Sequence, residues 1–268
     1  MIRSPIGLKV RGGLTLMELV VVLTVLIALA SILIPMLPGM LSRAHSSSQA
    51  TNNSELTKFV QTHEQLYLAY PDNLDALTDA TGTAVADYLP GATVGQMTPL
   101  TLDASQAASL SAGGINNLAA MYATAAALPS GQDPTFNPYT GASISVANGA
   151  NVVQLTEAAV EPAVVVQNDP NSFGDVYVVF GVGRANTMVG KTMSQAPLHF
   201  GEGGNDTPGR VYSRLGLVFR IARGTGTVGT PASTPLGRAQ FVGTVSFHDD
   251  GITTGEGHIT EYYEATQQ

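Results

Sequence analysis

Residues 11–35 read RGGLTLMELVVVLTVLIALASILIP, and the reading of this stretch decides how the rest of the chain is organised. From Leu19 to Leu41 no residue is charged, and only Thr24, Ser31, Pro35, Pro38 and Gly39 interrupt the apolar run. As a helix rising about 1.5 Å per residue it would measure roughly 35 Å, against about 30 Å of bilayer hydrocarbon. Arg3, Lys9 and Arg11 precede it, with no acid among the first 17 residues. The positive-inside rule therefore predicts residues 1–13 on the cytoplasmic side and everything after Arg43 outside. Glu18 is the anomaly. A carboxylate at such a place costs about 2.5–3.5 kcal/mol on insertion scales, and no residue of opposite charge stands near it in the sequence.

Behind this head the composition changes. The 268 residues hold 12 Lys and Arg against 20 Asp and Glu, a net charge of −8. Without Arg3, Lys9 and Arg11 the count is 9 against 20, a net −11. Nucleic acid is not an expected partner, because phosphate contact needs clustered Lys and Arg. The absence of cysteine excludes disulfides and thiolate sites. With 29 Gly and 15 Pro, about a sixth of the chain, the body reads as loop-rich β structure rather than low-complexity disorder. The length suits one sizeable domain, with room for an elaboration.

Three readings compete for the N-terminal segment. A plain signal anchor explains length and charge but leaves Glu18 without a role. A removable secretory signal would be cut after Ala28-Leu29-Ala30, yet the apolar run continues for 11 residues beyond that point. The third is a prepilin leader, carried by Gly13, Leu14, Thr15, Leu16, Met17 and Glu18 behind a short basic stretch. In this the chain resembles the type IV pilin-like and type II secretion pseudopilin family, with its prepilin-type cleavage and methylation motif. Leu14 departs from the phenylalanine usual in the family. Pro35, the twenty-second residue from Leu14, falls where the family often has a helix-kinking proline.

The resemblance implies that Gly13 and Leu14 are the processing site and that a prepilin peptidase is a partner. It also implies a partner for Glu18: the new α-amino group of a neighbouring subunit, which would make Glu18 a register pin for assembly. A charge pair between chains penalises wrong register, since an unpaired charge in an apolar bundle is expensive. The plain alternative is a glutamate that snorkels to the interface. Thr15, Glu18 and Pro35 are the expected assembly residues, and residues 19–41 the transmembrane part.

Leu56, Phe59, Val60, His63, Leu66, Tyr67 and Tyr70 recur at intervals of three and four, an amphipathic stripe. One helix is expected over residues 14–70, loosened near Pro35 and Pro38, with His63 as a core histidine. Pro71-Asp72-Asn73 should end it, and Leu74 and Leu77 should pack a short helical turn. Residues 81–170 read as an Ala/Gly/Ser/Thr-rich insertion, mostly loop, with a short helix over LAAMYATAAAL (118–128). The stretch QDPTFNPYTG (132–141) is loosely similar to a major-pseudopilin segment, and equally a proline-rich turn series. Strands are expected at 175–183, 214–223, 240–249 and 258–266, with Asp249-Asp250-Gly251 as a turn. The fold class predicted is α+β, a long N-terminal helix packed on a C-terminal antiparallel sheet within a head spanning residues 71–268. That is also the lollipop shape of pilins.

No catalytic constellation stands out, and an enzyme is not expected. His45, His63, His199, His248 and His258 show no HExxH or close pairing, and Gly181-Val182-Gly183 lacks a third glycine for a dinucleotide loop. No cofactor is expected. HFGEGGNDTPG (199–209) collects Glu202, Asn205 and Asp206, oxygen donors of the type Ca²⁺ takes, without the family's acidic-loop pattern; an ordinary surface loop is the alternative. The resemblance implies a pseudopilin that supports protein export, with other pseudopilins, an inner-membrane assembly platform and membrane lipid as partners. The expected location is the inner membrane, single-pass, with the head outside the cytoplasm. A processed length of 255 residues, 268 less 13, favours a minor or lineage-specific subunit. A minor type IV pilin for adhesion or DNA uptake, and a membrane-tethered binding protein or enzyme, are the alternatives.

Overall fold

The computed structural model describes residues 15–34, 37–82, 84–156, 174–199, 209–224, 234–248 and 251–267. Two helices lead: α1 (Leu16–Leu33) and α2 (Leu37–Tyr67). Nothing in α1 is buried. Pro38 falls in the first turn of α2, where its missing N–H has no intrahelical partner to lose. The expected single helix over 14–70 is thus described as two, on either side of residues 35–36. It also ends earlier than expected: Leu68 turns left-handed (φ 56°) and its N–H closes on Glu64 O at 2.8 Å. That turn delivers Tyr70, whose N–H donates to Gly113 O (2.7 Å) and whose ring packs edge-on against Phe219.

The stripe on α2 is real but displaced. Ser46, Gln49, Asn53, Leu56, Val60 and His63 are buried, at intervals of three and four. Leu66 and Tyr67, expected on it, are exposed because the chain leaves the helix there. His63 is buried as expected, with Nδ1 3.0 Å from Ala69 O, and burial pulls its pKa down.

The body carries nine strands among the described residues: β1 (Leu74–Asp75), β2 (Met97–Thr101), β3 (Asn117–Met121), β4 (Tyr139–Ser145), β5 (Asn151–Leu155), β6 (Val176–Gly181), β7 (Leu215–Arg223), β8 (Thr234–His248) and β9 (Gly251–Thr254). Short helices α3 (Gly91–Gly95) and α4 (Ala104–Gly113) lie between them, and α5 (Gly255–Gln267) follows β9. The sheet runs β4-β3-β1-β6-β7-β8-β9, with β5 joining β6 to β2. All its described strand pairs are antiparallel except β1–β3. The protein is α+β, an apolar N-terminal helix followed by a largely antiparallel sheet.

The central strands are buried on both faces, where one covered face was expected. Val178, Phe180, Leu217 and Phe219 join Leu56 and Val60 of α2 and Leu110 of α4 on one side. Their neighbours Tyr177, Val179 and Val218 join Tyr88, Met97, Val153, Phe247 and Ile252 on the other. Successive side chains of a strand point to opposite faces, so two cores need an apolar run rather than an alternation. Residues 77–97 and 151–155 supply much of the second cover. The described part of the region read as loops therefore contributes to the sheet, through β2, β3, β4 and β5.

Three further expectations fail. Residues 118–128 begin as strand β3 and continue to a single 3₁₀ turn at Ala125–Ala127, because burial of Leu118, Ala120 and Met121 in the sheet overrides the helical preference of alanine. Leu74 and Asp75 are strand β1, and Leu77 is left-handed (φ 59°), so no helical turn forms there. Residues 258–266 are helix α5, not a strand: His258 Nδ1 meets Glu261 Oε2 at 2.9 Å, a contact of helical spacing. The partner strand of β8 is the four-residue β9, entered through Gly251 (φ 135°). Asp249 and Asp250 lie outside the described residues.

Candidate functional site

The first candidate is the start of α1. Thr15 is extended (φ −68°, ψ 150°) and caps the helix, its hydroxyl accepting from Glu18 N at 3.3 Å. Glu18 reaches back, its Oε2 accepting from Thr15 N (2.8 Å) and Thr15 Oγ1 (3.0 Å). This reciprocal capping box satisfies backbone donors that a helix start leaves open. The carboxylate is thus held by neutral donors, which orient its charge without cancelling it. It lies within an 18-residue helix, Leu16–Leu33, long and apolar enough to cross a membrane, with none buried against the body. Of the expected site residues the structure places Thr15 and Glu18 together. Gly13, Leu14, Pro35 and the leader charges Arg3, Lys9 and Arg11 lie outside the described residues, as do Glu202, Asn205 and Asp206.

The second candidate joins segments far apart in sequence. His199 is held by its own N–H to Ser213 O (3.0 Å), and Asn52 Nδ2 of α2 reaches Leu198 O at 3.5 Å. His248 ends β8, and its carbonyl accepts from Thr93 Oγ1 (2.9 Å). His258 lies in the first turn of α5. Ring centroids are 4.2 Å apart for His199–His248, 4.9 Å for His248–His258 and 6.3 Å for His199–His258. All three are at most 9% exposed. His248 Nε2 and His258 Nε2 stand 3.3 Å apart, and Ser246 Oγ lies 2.6 Å from His258 Nε2. Burial, then the neighbouring His248, His258 and His45, pushes the His199 pKa down to about 2, so that ring is neutral. The cluster sits in a polar seam where Asn53 O of α2 accepts from Thr244 Oγ1 (3.0 Å) and Thr57 Oγ1 (3.0 Å).

A third polar group is structural. Asp75 is fully buried on β1, and Tyr212 donates its hydroxyl to Asp75 Oδ2 at 2.5 Å. Burial lifts the Asp75 pKa to about 6, while Tyr212, Tyr139, Arg214 and Arg184 pull it down. A Cβ on Gly183 would fall within 3 Å of the Tyr139 hydroxyl and both Asp75 oxygens, so only glycine fits. Residues 132–138 form a turn series that leads into β4 at Tyr139: Asp133 Oδ1 accepts from Thr135 N and Phe136 N, both at 2.8 Å, and Thr135 Oγ1 donates to Val211 O at 2.7 Å. These contacts pin Tyr139 beside Asp75 and leave the group enclosed.

No family model matches the chain, and comparison with curated proteins and with solved structures gives no match either. Geometry is therefore what speaks for function. The histidine cluster was not legible in the sequence, because its members come from a loop, a strand end and a helix. The spacing His248–His258 carried no signal while residues 258–266 read as a strand.

Proposed function

We propose that this protein is a pseudopilin-like assembly subunit, processed after Gly13 and polymerised through α1 in a secretion pseudopilus. One observation carries the reading: α1 is a predominantly apolar helix with no buried residue, and the Glu18 in its first turn is held in place but not charge-neutralised. A helix this apolar, bare over its whole length, is complementary to lipid before assembly and to other copies of itself after it. The charge of Glu18 would be met by the α-amino group exposed at Leu14 of a neighbouring copy. The body, α+β and acidic, would form the outer surface.

Glu18→Gln tests this, because glutamine at the third helical position keeps the capping box and removes only the charge. The variant should insert into membrane normally yet lose most co-assembly, measured by cross-linking between copies, and Glu18→Ala should match it. Assembly of Glu18→Gln at the unsubstituted level would remove the charge pair from the mechanism. Intact mass of the membrane-extracted protein gives the companion result: a chain beginning at Leu14 is expected, and one beginning at Ser31 or uncut would overturn processing.

A further inference from the structure

We infer that α5 is an acid-released latch: His199, His248 and His258 keep it on the body while they are neutral, and their protonation sets it free. The device concerns the body alone and does not depend on the reading of α1. Among the side chains described from Gly255 to Glu264, His258 alone is buried, whereas Ile259, Tyr262 and Tyr263 are exposed. A helix with so few buried apolar contacts belongs to the low-stability end of a fold and can open by itself. Its hold on the body runs through one histidine, the side chain type whose charge changes between about pH 5 and 8.

The closed seam has room for one positive charge. His258 Nδ1 faces the Glu261 carboxylate at 2.9 Å and so carries a proton. Its Nε2 faces Ser246 Oγ at 2.6 Å and His248 Nε2 at 3.3 Å. With both rings neutral, that Nε2 accepts from the serine hydroxyl or from His248. One added proton also fits: His258 Nε2–H then donates to Ser246 Oγ, whose own hydrogen goes to Thr253 O at 3.2 Å, and Glu261 balances the charge. A second proton, on His248, leaves every ring nitrogen of the pair protonated. Two N–H groups and two cations would then oppose each other across 3.3 Å.

His199 accepts no charge in the closed state. It is buried, its ring stands edge-on to His248, and neither ring nitrogen has a hydrogen-bond partner among the described residues. A proton there would bury a cation with no acceptor for its N–H groups. Around the cluster, α2 brings His45, β8 brings His248, α5 brings Glu261, and β9 brings no titratable side chain. Asp249 and Asp250 lie outside the described residues. In the open state all three rings are in water and take protons near the ordinary histidine value of about 6.5. The closed state takes at most one, so opening takes up two or more and acid drives it. The latch is therefore closed above about pH 6.5 and weakens as pH falls below it. Release would uncover the side of α2 at Ala50 and Asn53, against which Gly255 lies.

Hydrogen exchange of the full chain in detergent at pH 7, 6 and 5, corrected for the intrinsic pH dependence of amide exchange, tests the latch. The opening constant of α5 amides should rise about 50- to 100-fold from pH 6 to pH 5, the signature of two protons. Amides of β6 and β7 should keep their protection over the same range. Glu261→Gln, at a partly exposed residue and with circular dichroism checking the fold, removes the balancing charge and should move the α5 profile to higher pH. His199→Gln should reduce the rise by close to tenfold, the share of one proton. Protection of α5 that does not change between pH 7 and pH 5 overturns the proposal. So does loss of protection in β6 and β7 together with α5, which is acid unfolding of the whole body. A Glu261→Gln profile that coincides with that of the unsubstituted chain overturns it too.

Discussion

Helices α1 and α2 invert the usual relation between hydrophobicity and burial. α1 is apolar but for Glu18, Thr24 and Ser31 and buries nothing, whereas the buried stripe of α2 opens with Ser46, Gln49 and Asn53 before reaching Leu56 and Val60. The contrast separates two ways of placing a helix. α2 is located by complementarity to the body: Leu56 and Val60 in the core, Asn53 and Thr57 in the polar seam, and Gly255 at the start of α5, where a Cβ would lie 3.4 Å from Asn53 Cβ. α1 has no such address among the described residues of its own chain. Its surface is long and apolar enough to suit a membrane crossing, and the described body does not cover it.

The same substitution in both helices gives the largest effect. Leu56→Ala removes a fully buried side chain and should cost about 2–5 kcal/mol, read from urea unfolding of the full chain in detergent. Leu26→Ala, at a 55% exposed position, should leave the same transition unmoved to within about 0.5 kcal/mol. A large effect of Leu26→Ala would show that α1 packs on the body after all.

Within the body, Asp75 sharpens the point that burial and polarity coexist where geometry compels it. Its folded pKa of about 6 lies above the ordinary carboxylate value, so the proton is held more tightly in the folded state. The stabilisation from that proton is full below about pH 4 and is lost as pH rises through 6. Asparagine does not titrate. The stability of Asp75→Asn relative to the unsubstituted chain should therefore climb with pH between about 4 and 7, by on the order of 3 kcal/mol. Urea midpoints at pH 4 and pH 7 measure it, and a difference that stays flat with pH would mean that Tyr212, Tyr139, Arg214 and Arg184 compensate the burial in full.

The smallest effect is expected at the exit of α2. Arg238 pairs with Glu64 at 2.9 Å, both partly exposed to solvent, and stacks over the buried Tyr70 ring at 4.8 Å. Arg238→Ala should cost about 1 kcal/mol or less in thermal unfolding, most of it from the lost cover on Tyr70. If Arg238→Met restores the loss, packing rather than charge holds that corner.

The readable parts of the sequence were those whose signal is local. Apolar length with a one-sided basic flank marks α1, and runs of β-branched and aromatic residues mark β6, β7 and β8. The Thr15–Glu18 and Asp103–Gln106 spacings are capping boxes visible in the chain itself, though neither was read as one, the second lying within a region taken as loop. What misled was composition. An Ala-rich stretch became strand β3 because the sheet needed small buried residues there, and Tyr-containing residues 258–266 became helix α5 because a nine-residue window fits both periods. By itself the sequence determined that a charged, acidic body hangs from an apolar helix, since charge and hydrophobicity act residue by residue. Only the tertiary structure decided that the sheet is covered twice, that α2 lies against α5, and that His199, His248 and His258 meet. Those outcomes depend on contacts between segments up to two hundred residues apart, and the free energy of such contacts resides in the pair and in neither sequence alone.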